Sequence, residues 1–238
     1  MRVLVVGATG GLGTALVALL QDDRRVTRLT AWSRKVEPVT GGAASARIVR
    51  EEVDLLDEPS IEAAARSLGE VDLAIVATGL LHDGTLKPEK SWRSLDARDM
   101  LRVFEINAIG PALIAKHVLP LLPRDRRAVF AVLSARVGSI GDNRLGGWHS
   151  YRASKAALNQ YIRCFGIELA AKRPHAICVG LHPGTVDSAL SKPFQAAVPP
   201  GKLFTPEQSA RRLLSVLDSL MPAQSGRVFD WAGIEIGP

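Results

Sequence analysis

The chain has 238 residues, 47% hydrophobic and 23% charged, and 30 basic against 24 acidic side chains give a formal net charge of +6. That length suits one large α/β domain able to bury a sizeable core, and the composition is that of an ordinary globular protein. The densest basic run, Arg124 to Arg127, is short and lacks interleaved aromatics, so nucleic acid is not an expected partner, whereas small anions would feel a mild attraction.

The two cysteines, Cys164 and Cys178, form no metal-ligand or disulfide pattern, and their apolar surroundings predict two buried, reduced thiols. The five histidines have no ligand spacing, so no metal site is expected. MRVLVV runs straight into glycines without the parts of a leader peptide, and no apolar run reaches the length of a membrane span. A cytoplasmic protein with no membrane partner is the expectation.

In chain order, the first strand candidate, VLVVG from Val3, runs into Gly7-Ala-Thr-Gly-Gly11-Leu-Gly13 and the helical pattern LGTALVALLQ. Glycines between strand and helix permit a tight turn and let a pyrophosphate approach the free N–H groups of the helix N-terminus. The spacing, G-x-x-x-G-x-G, differs from the common dinucleotide fingerprint. The second strand, VTRLTAW from Val26, ends at Ser33, Arg34 and Lys35. No acidic residue stands there to hold a ribose 2′-hydroxyl. Arg34 can instead pair with a 2′-phosphate, which favours NADP(H) over NAD(H).

A third strand, ARIVRE from Ala46, precedes Asp54, which could accept a hydrogen bond from an adenine amino group or cap the following segment; the helical pattern SIEAAARSLG comes next. The fourth strand, DLAIVAT from Asp72, is followed by the irregular LHDGTLKPEKSW and a long helical stretch from Asp96 to Leu121. AVFAVLS from Ala128 leads to a helix over Ser150 to Lys172, and HAICVGL from His175 to the irregular SKPFQAAVPPGK. The helical PEQSARRLLSVLDSL and a last strand, RVFDW from Arg227, close the chain, with Pro174 and Pro222 just beyond two helices. Continuous β-branched and leucine runs alternating with amphipathic segments predict an α/β fold: a doubly wound parallel sheet of about seven strands with helices on both faces. Both irregular excursions leave from carboxyl ends of strands, where ligands bind in such sheets.

In SYRASKAALN, Tyr151 and Lys155 are one helical turn apart and can lean toward one point. The pair could serve catalysis, the lysine ammonium then lowering the tyrosine's pKa, or be simple surface decoration. The stripe Leu158, Ile162, Phe165 and Leu169 on the same helix reads as a core face or a subunit face. Trp148 and His149 could line a substrate mouth or only pack their loop.

The glycine spacing, Tyr151-x-x-x-Lys155 and His182-Pro183-Gly184 together resemble the short-chain dehydrogenase/reductase family over essentially the whole chain. SARVGSIGDNRLGGWHSYRASKAALN looks like the branch of C-factor-type proteins and small carbonyl reductases. The resemblance implies a single NAD(P)-binding Rossmann domain over residues 1–238, with a substrate loop at about 188–204. Gly7, Gly11 and Gly13 match the glycine loop, with Thr9 and Leu12 lining it. Asn107 matches an asparagine that interrupts a helix and holds a relay water. Tyr151 matches the general acid/base, and Lys155 its partner and a ligand of the nicotinamide ribose. Pro183, Gly184, Val186 and Ser188 match the segment covering the nicotinamide and diphosphate. Homodimers or homotetramers are implied alternatives to a monomer.

Two positions depart from the family. Ala77, Thr78 and Gly79 keep the glycine after the fourth strand but lose the amides, and Ala135 stands where the catalytic serine belongs. Ser134, Ser139 or no serine takes its place, with Ser134 named as the candidate. The implied function is NADP(H)-dependent hydride transfer to a carbonyl or from a secondary alcohol. The alternatives are a cofactor-binding signalling protein with little turnover and a structural module with a degenerate site.

Overall fold

The computed structural model describes residues 1–35 and 47–238. Eight strands form the main sheet: β1 (Arg2–Val6), β2 (Arg28–Ser33), β3 (Ile48–Glu52), β4 (Leu73–Val76), β5 (Ala128–Leu133), β6 (Ala176–His182), β9 (Val228–Asp230) and β10 (Glu235–Ile236). Their order is β10-β9-β6-β5-β4-β1-β2-β3, parallel except for the antiparallel edge strand β10. The eighth strand is an addition to the seven expected. Ala46, where the third strand was expected to start, lies outside the described residues. Separate from the sheet, β7 (Thr185–Val186) pairs in parallel with β8 (Leu203–Phe204) and closes the base of the 188–204 excursion.

Alternation along each strand sends successive side chains to opposite faces, and helices cover both. Val3 and Val5 of β1 pack with α1 (Gly11–Asp22) and α6 (Pro206–Ser219), through Leu16, Leu20, Leu213 and Leu217. Leu4 and Val6 face α2 (Glu58–Leu68), α4 (Gly110–Val118) and α5 (His149–Lys172), through Ile61, Ile114, Leu158 and Ile162. The strand order reverses between β1 and β4, the place where open α/β sheets bind ligands beyond the carboxyl ends of their strands.

The helical stretch from Asp96 to Leu121 is interrupted at Asn107, as the resemblance implied: α3 (Ala97–Phe104) passes into a π-helical turn, Glu105–Ile109, before α4. One expectation is corrected here. Cys178 is buried, but Cys164 is exposed, because its helical phase lies off the stripe of Leu158, Ile162, Gly166 and Leu169 that α5 buries. That stripe packs in the core, with Phe165 partly buried against it.

Gly166 lets α5 lie directly on the turn before β9. A methyl group there would gain about 1 kcal/mol of helix propensity, yet its Cβ would sit 2.5 Å from the Gly226 nitrogen and 2.6 Å from the Gly226 Cα. Both are backbone atoms, so the clash outweighs the gain. Gly166→Ala is expected to lower the unfolding free energy by about 1–3 kcal/mol, read as a lower urea midpoint; an unchanged midpoint would mean that the Gly226 turn moves aside freely.

Candidate active site

The glycine turn follows from what each Cβ would strike. Gly7, at φ +80°, would place one 3.0 Å from Thr78 Cγ2, and Gly13 would drive one to 2.1 Å from the Gly7 carbonyl oxygen. Only glycine allows the turn to lie this close to the end of β4 and to its own helix. Gly10, which the sequence reading passed over, is the N-cap of α1 and offers no side chain, so the backbone N–H groups of the first turn stay open. Thr9, Gly10 and Gly11 are exposed, Leu12 is buried beneath them, and a Cβ on Gly11 would meet the Ser188 Cβ at 3.3 Å. Beside this cradle, the buried Thr78 Oγ1 has no hydrogen-bond partner among the described residues. A cradle that any Cβ would fill, open N–H groups and an orphaned hydroxyl are the features a dinucleotide diphosphate fits.

At the end of β2, Ser33 is buried and its hydroxyl donates to the Lys35 carbonyl at 2.7 Å, while Arg34 and Lys35 are exposed. Among the described residues neither cation has a carboxylate partner. Asp54 Oδ1 accepts from the Leu56 N–H at 2.9 Å in the turn that leads to α2, whose own N-cap is Asp57. The Ala77–Gly79 segment borders the glycine turn through Ala77 and Thr78.

Gly79 marks where the other elements meet. A Cβ on it would lie 3.8 Å from Asn107 Oδ1, 3.8 Å from Leu190 Cδ1 and 3.9 Å from Lys155 Nζ. Asn107 is fully buried in the π-helical turn. Its Oδ1 accepts from the Leu80 N–H at 2.8 Å, and its Nδ2 donates to the Leu80 carbonyl at 2.8 Å and to Ser154 Oγ at 3.1 Å. Ser154 in turn donates to the Tyr151 carbonyl at 2.8 Å. Asn107 therefore ties the chain leaving β4 to the turn of α5 that carries the tyrosine. Sequence reasoning missed Ser154, although a small polar residue three places after Tyr151 is a usable signal.

Lys155 is buried; its Nζ donates to the Leu133 carbonyl at 2.8 Å and lies 5.9 Å from the Tyr151 ring centroid. Burial pushes the Tyr151 phenol up to about 12 and the Lys155 ammonium down to about 7. This differs from the expectation that the lysine would acidify the phenol: without ligand, desolvation controls both groups and favours their neutral forms.

Ala135 brings only a methyl group to the family's serine position. The two neighbouring hydroxyls are committed elsewhere: Ser134 Oγ donates to Asn159 Oδ1 at 2.6 Å, and Ser139 Oγ to the Pro238 carbonyl at 3.1 Å.

The mouth of the site is aromatic. Trp148 lies 6.2 Å from the Tyr151 ring in edge geometry and 5.0 Å from Phe194, and His82 lies 5.9 Å from Phe194. Trp148 is the one described non-glycine residue in the left-handed region, at φ +50°. Glu89 holds it there: its main-chain carbonyl accepts from the Trp148 N–H at 2.5 Å, and its buried carboxylate accepts from the Ser150 N–H at 3.2 Å and from the Ser150 hydroxyl. Glu89, His82 and Phe194 belong to the two irregular excursions and carry no local signal. The partly buried His149 has an Nδ1 without a partner among the described residues.

On the far side of the turn, Gly184, at φ +77°, would place a Cβ 2.7 Å from Phe204 and 2.9 Å from Trp231. Pro183, Val186 and Ser188 follow the same path, with Ser188 against Gly11. Among the described residues no His, Cys, Asp and Glu gather as metal ligands, and no helix is long and apolar enough to cross a membrane.

Comparison with known proteins identifies the family. The profile of the short chain dehydrogenases matches residues 1–198. A 1-hydroxy-2-glutathionyl-2-methyl-3-butene dehydrogenase of Rhodococcus sp. strain AD45 is 34% identical over 227 residues, 94% of each chain. The C-signal of Myxococcus xanthus is 39% identical over 143 residues, 60% of this chain and 80% of the relative. A short-chain dehydrogenase/reductase of Burkholderia multivorans, solved with bound NADP, superposes with a TM-score of 0.78 at 25% identity, covering 99% of this chain and 98% of that one. A turn that admits only glycine, a π-helical asparagine and a buried Tyr151–Lys155 pair under that profile have one reading: the chain belongs to the short-chain dehydrogenase family, whose members are NAD(P)-dependent oxidoreductases.

Proposed function

We propose that this protein is an NADP(H)-dependent oxidoreductase that reduces a carbonyl to a secondary alcohol or runs the reverse reaction, with Tyr151 as proton donor. The observation that carries the reading is the approach of Asn107 Oδ1 and Lys155 Nζ to Gly79, beside the glycine turn, with Ser154 linking Asn107 to the Tyr151 carbonyl. Gly7 to Gly13 would hold the diphosphate with Ser188 closing over it, and Ser33, Arg34 and Lys35 the 2′-phosphate. Asp54 would face the adenine, Ala77 to Gly79 would border the ribose, and Pro183, Gly184 and Val186 would back the nicotinamide. The bound, reduced nicotinamide supplies the hydride.

The protein's share is positioning and proton transfer. A phenol pushed up to about 12 stays protonated near neutrality, which is the state a donor needs. As negative charge grows on the carbonyl oxygen, Tyr151 Oη hands over its proton, and a protonated Lys155 stabilises the phenolate left behind. In oxidation the same groups run backwards from the phenolate. Replacing Tyr151 by Phe is expected to cut NADPH-dependent turnover of aldehydes and ketones by about 10²–10⁴-fold while NADPH binding, followed by fluorescence, persists.

For the cofactor, Arg34 is an exposed guanidinium where NAD-specific sites carry an acid, and the Burkholderia relative was solved with NADP. Arg34→Ala is expected to weaken NADPH binding by about tenfold or more and to leave NADH binding unchanged. Equal losses for both cofactors would remove Arg34 from the reading.

A second reading has its own observation: with Ala135 in place of the serine and the Ser134 and Ser139 hydroxyls spent, a carbonyl has one fewer donor, and one relative is a C-signal. Such a protein would bind NADPH and turn over little. Ala135→Ser separates the two, since Ala135 has ordinary extended backbone angles that serine adopts without strain. The oxidoreductase reading expects kcat to rise by about tenfold, the worth of one added hydrogen bond to a developing oxyanion. If neither the wild type nor Ala135→Ser exceeds the Tyr151→Phe background on any substrate, the signalling reading stands.

A further inference from the structure

A cavity of about 320 Å³ opens at the carboxyl ends of β5, β6 and β9, on the side of the sheet away from the 2′-phosphate end at β2. Arg136, His182, Lys202, Phe204, Asp230 and Trp231 line it, and Gly184 forms part of its wall. It adjoins the reaction centre through two segments. Arg136 opens the short helical turn whose Gly138 would place a Cβ 2.8 Å from the Lys155 Cβ, and Gly184 follows Pro183 in the segment assigned to the nicotinamide.

The charges in this cavity do not balance. Asp230 is already saturated: Oδ1 accepts from the Ala232 and Ile234 N–H groups at 2.9 and 3.0 Å, and Oδ2 from Arg136 at 2.9 Å. Arg136 also reaches Asp142 at 3.5 Å, so its guanidinium is shared between two carboxylates. Lys202 has no carboxylate within 4 Å among the described residues; its Nζ lies 5.9 Å from the Trp231 ring centroid. Behind the rings, the Arg212 guanidinium sits 4.4 Å from the Trp231 centroid and 4.6 Å from that of Phe204, also without a carboxylate partner among the described residues. Two cations thus crowd one aromatic pair with no anion of their own. His182 adds a buried Nδ1 that has no hydrogen-bond partner among the described residues. Burial and the adjacent Arg136 hold its pKa down at about 4, so the ring is neutral and can donate one N–H.

We infer that this cavity is a subsite for a carboxylate carried by the substrate, seated between Lys202 and His182 with its carbon chain against Phe204 and Trp231. A carboxylate suits the donors better than a phosphate does. One ammonium and one imidazole N–H match two oxygens and a single charge, and the charge of Arg136 is already paired with Asp230 and Asp142. The inference rests on the oxidoreductase reading and names its substrate class: aldehydes or ketones bearing a carboxylate some way from the carbonyl.

The test measures kcat and KM for ω-formyl alkanoates of increasing chain length and for their methyl esters, in the wild type, Lys202→Gln and Lys202→Glu. Lys202 is exposed, so these variants are expected to fold. At the best length the acid should show a KM about tenfold or more below that of its ester. Lys202→Gln should erase that difference, Lys202→Glu should reverse it, and the ester constants should not move. Equal KM values for acid and ester at every length in the wild type, or a difference that survives both substitutions, overturn the subsite. If neither acid nor ester is turned over, the oxidoreductase reading fails instead, and titration calorimetry with adipate decides the cavity. Heat lost in Lys202→Gln keeps it as a carboxylate site, and no heat in the wild type removes it.

Discussion

A buried asparagine amide that needs three partners organises this site. Leaving such a group unpaired costs about 1–3 kcal/mol, and Asn107 avoids the cost by binding both main-chain groups of Leu80 and the hydroxyl of Ser154. Inside a regular α-helix an asparagine competes poorly for such partners. The extra residue of the π-helical turn, Glu105–Ile109, re-aims the side chain at the chain leaving β4. Once that chain is clamped, Asn107, Leu190 and Lys155 surround Gly79, 3.8 to 3.9 Å from where a Cβ on it would lie. The positions of Tyr151 and Lys155 relative to the end of β4 then follow from packing rather than from any attraction between the two.

That distinction bears on the chemistry. An ammonium one turn from a phenol would acidify it in an open site, but here each group loses more from leaving water than it gains from the other. The resting pair is therefore a protonated acid beside a lysine that titrates near neutrality. In the proposed reaction such a pair would give a proton to a substrate, and it would reach the phenolate only when other positive charge stands close. With Ala135 offering no hydroxyl, the proposed reaction would rest the stabilisation of a developing alkoxide more heavily on Tyr151.

Most of the scaffold was legible because strands covered on both faces need unbroken apolar runs, and those runs stand out between amphipathic helices. The two-residue β10 was not, since an edge strand that pairs along one side carries no pattern. The break in the helix was legible only through the resemblance that singled out Asn107, because apolar periodicity continues through a π-helical turn. Cys164 was misplaced because apolar neighbours in sequence are not neighbours on a helix face; two residues past Ile162 points away from the core. The aromatic mouth was legible only as a location. Both excursions were expected at the carboxyl edge, but the meeting of His82, Phe194 and Trp148, and the capping of α5 by Glu89, are tertiary facts without a local signature.

The 188–204 excursion also differs from a free loop. Its two ends are pinned where Val186 pairs with Phe204, and the Asp187 N–H donates to the Phe204 carbonyl at 2.8 Å. Phe204 and Trp231 press on Gly184, where a Cβ would leave less than 3 Å to either ring. The aromatic pair that walls the cationic cavity is thus the same pair that backs the segment assigned to the nicotinamide. Whatever settles against Phe204 and Trp231 acts on Gly184 through direct contact, with no flexible element between them to absorb a displacement. Occupancy of the cavity and the seat proposed for the hydride donor would in this way be mechanically one feature, and the glycine at position 184 has a packing reason as well as a conformational one.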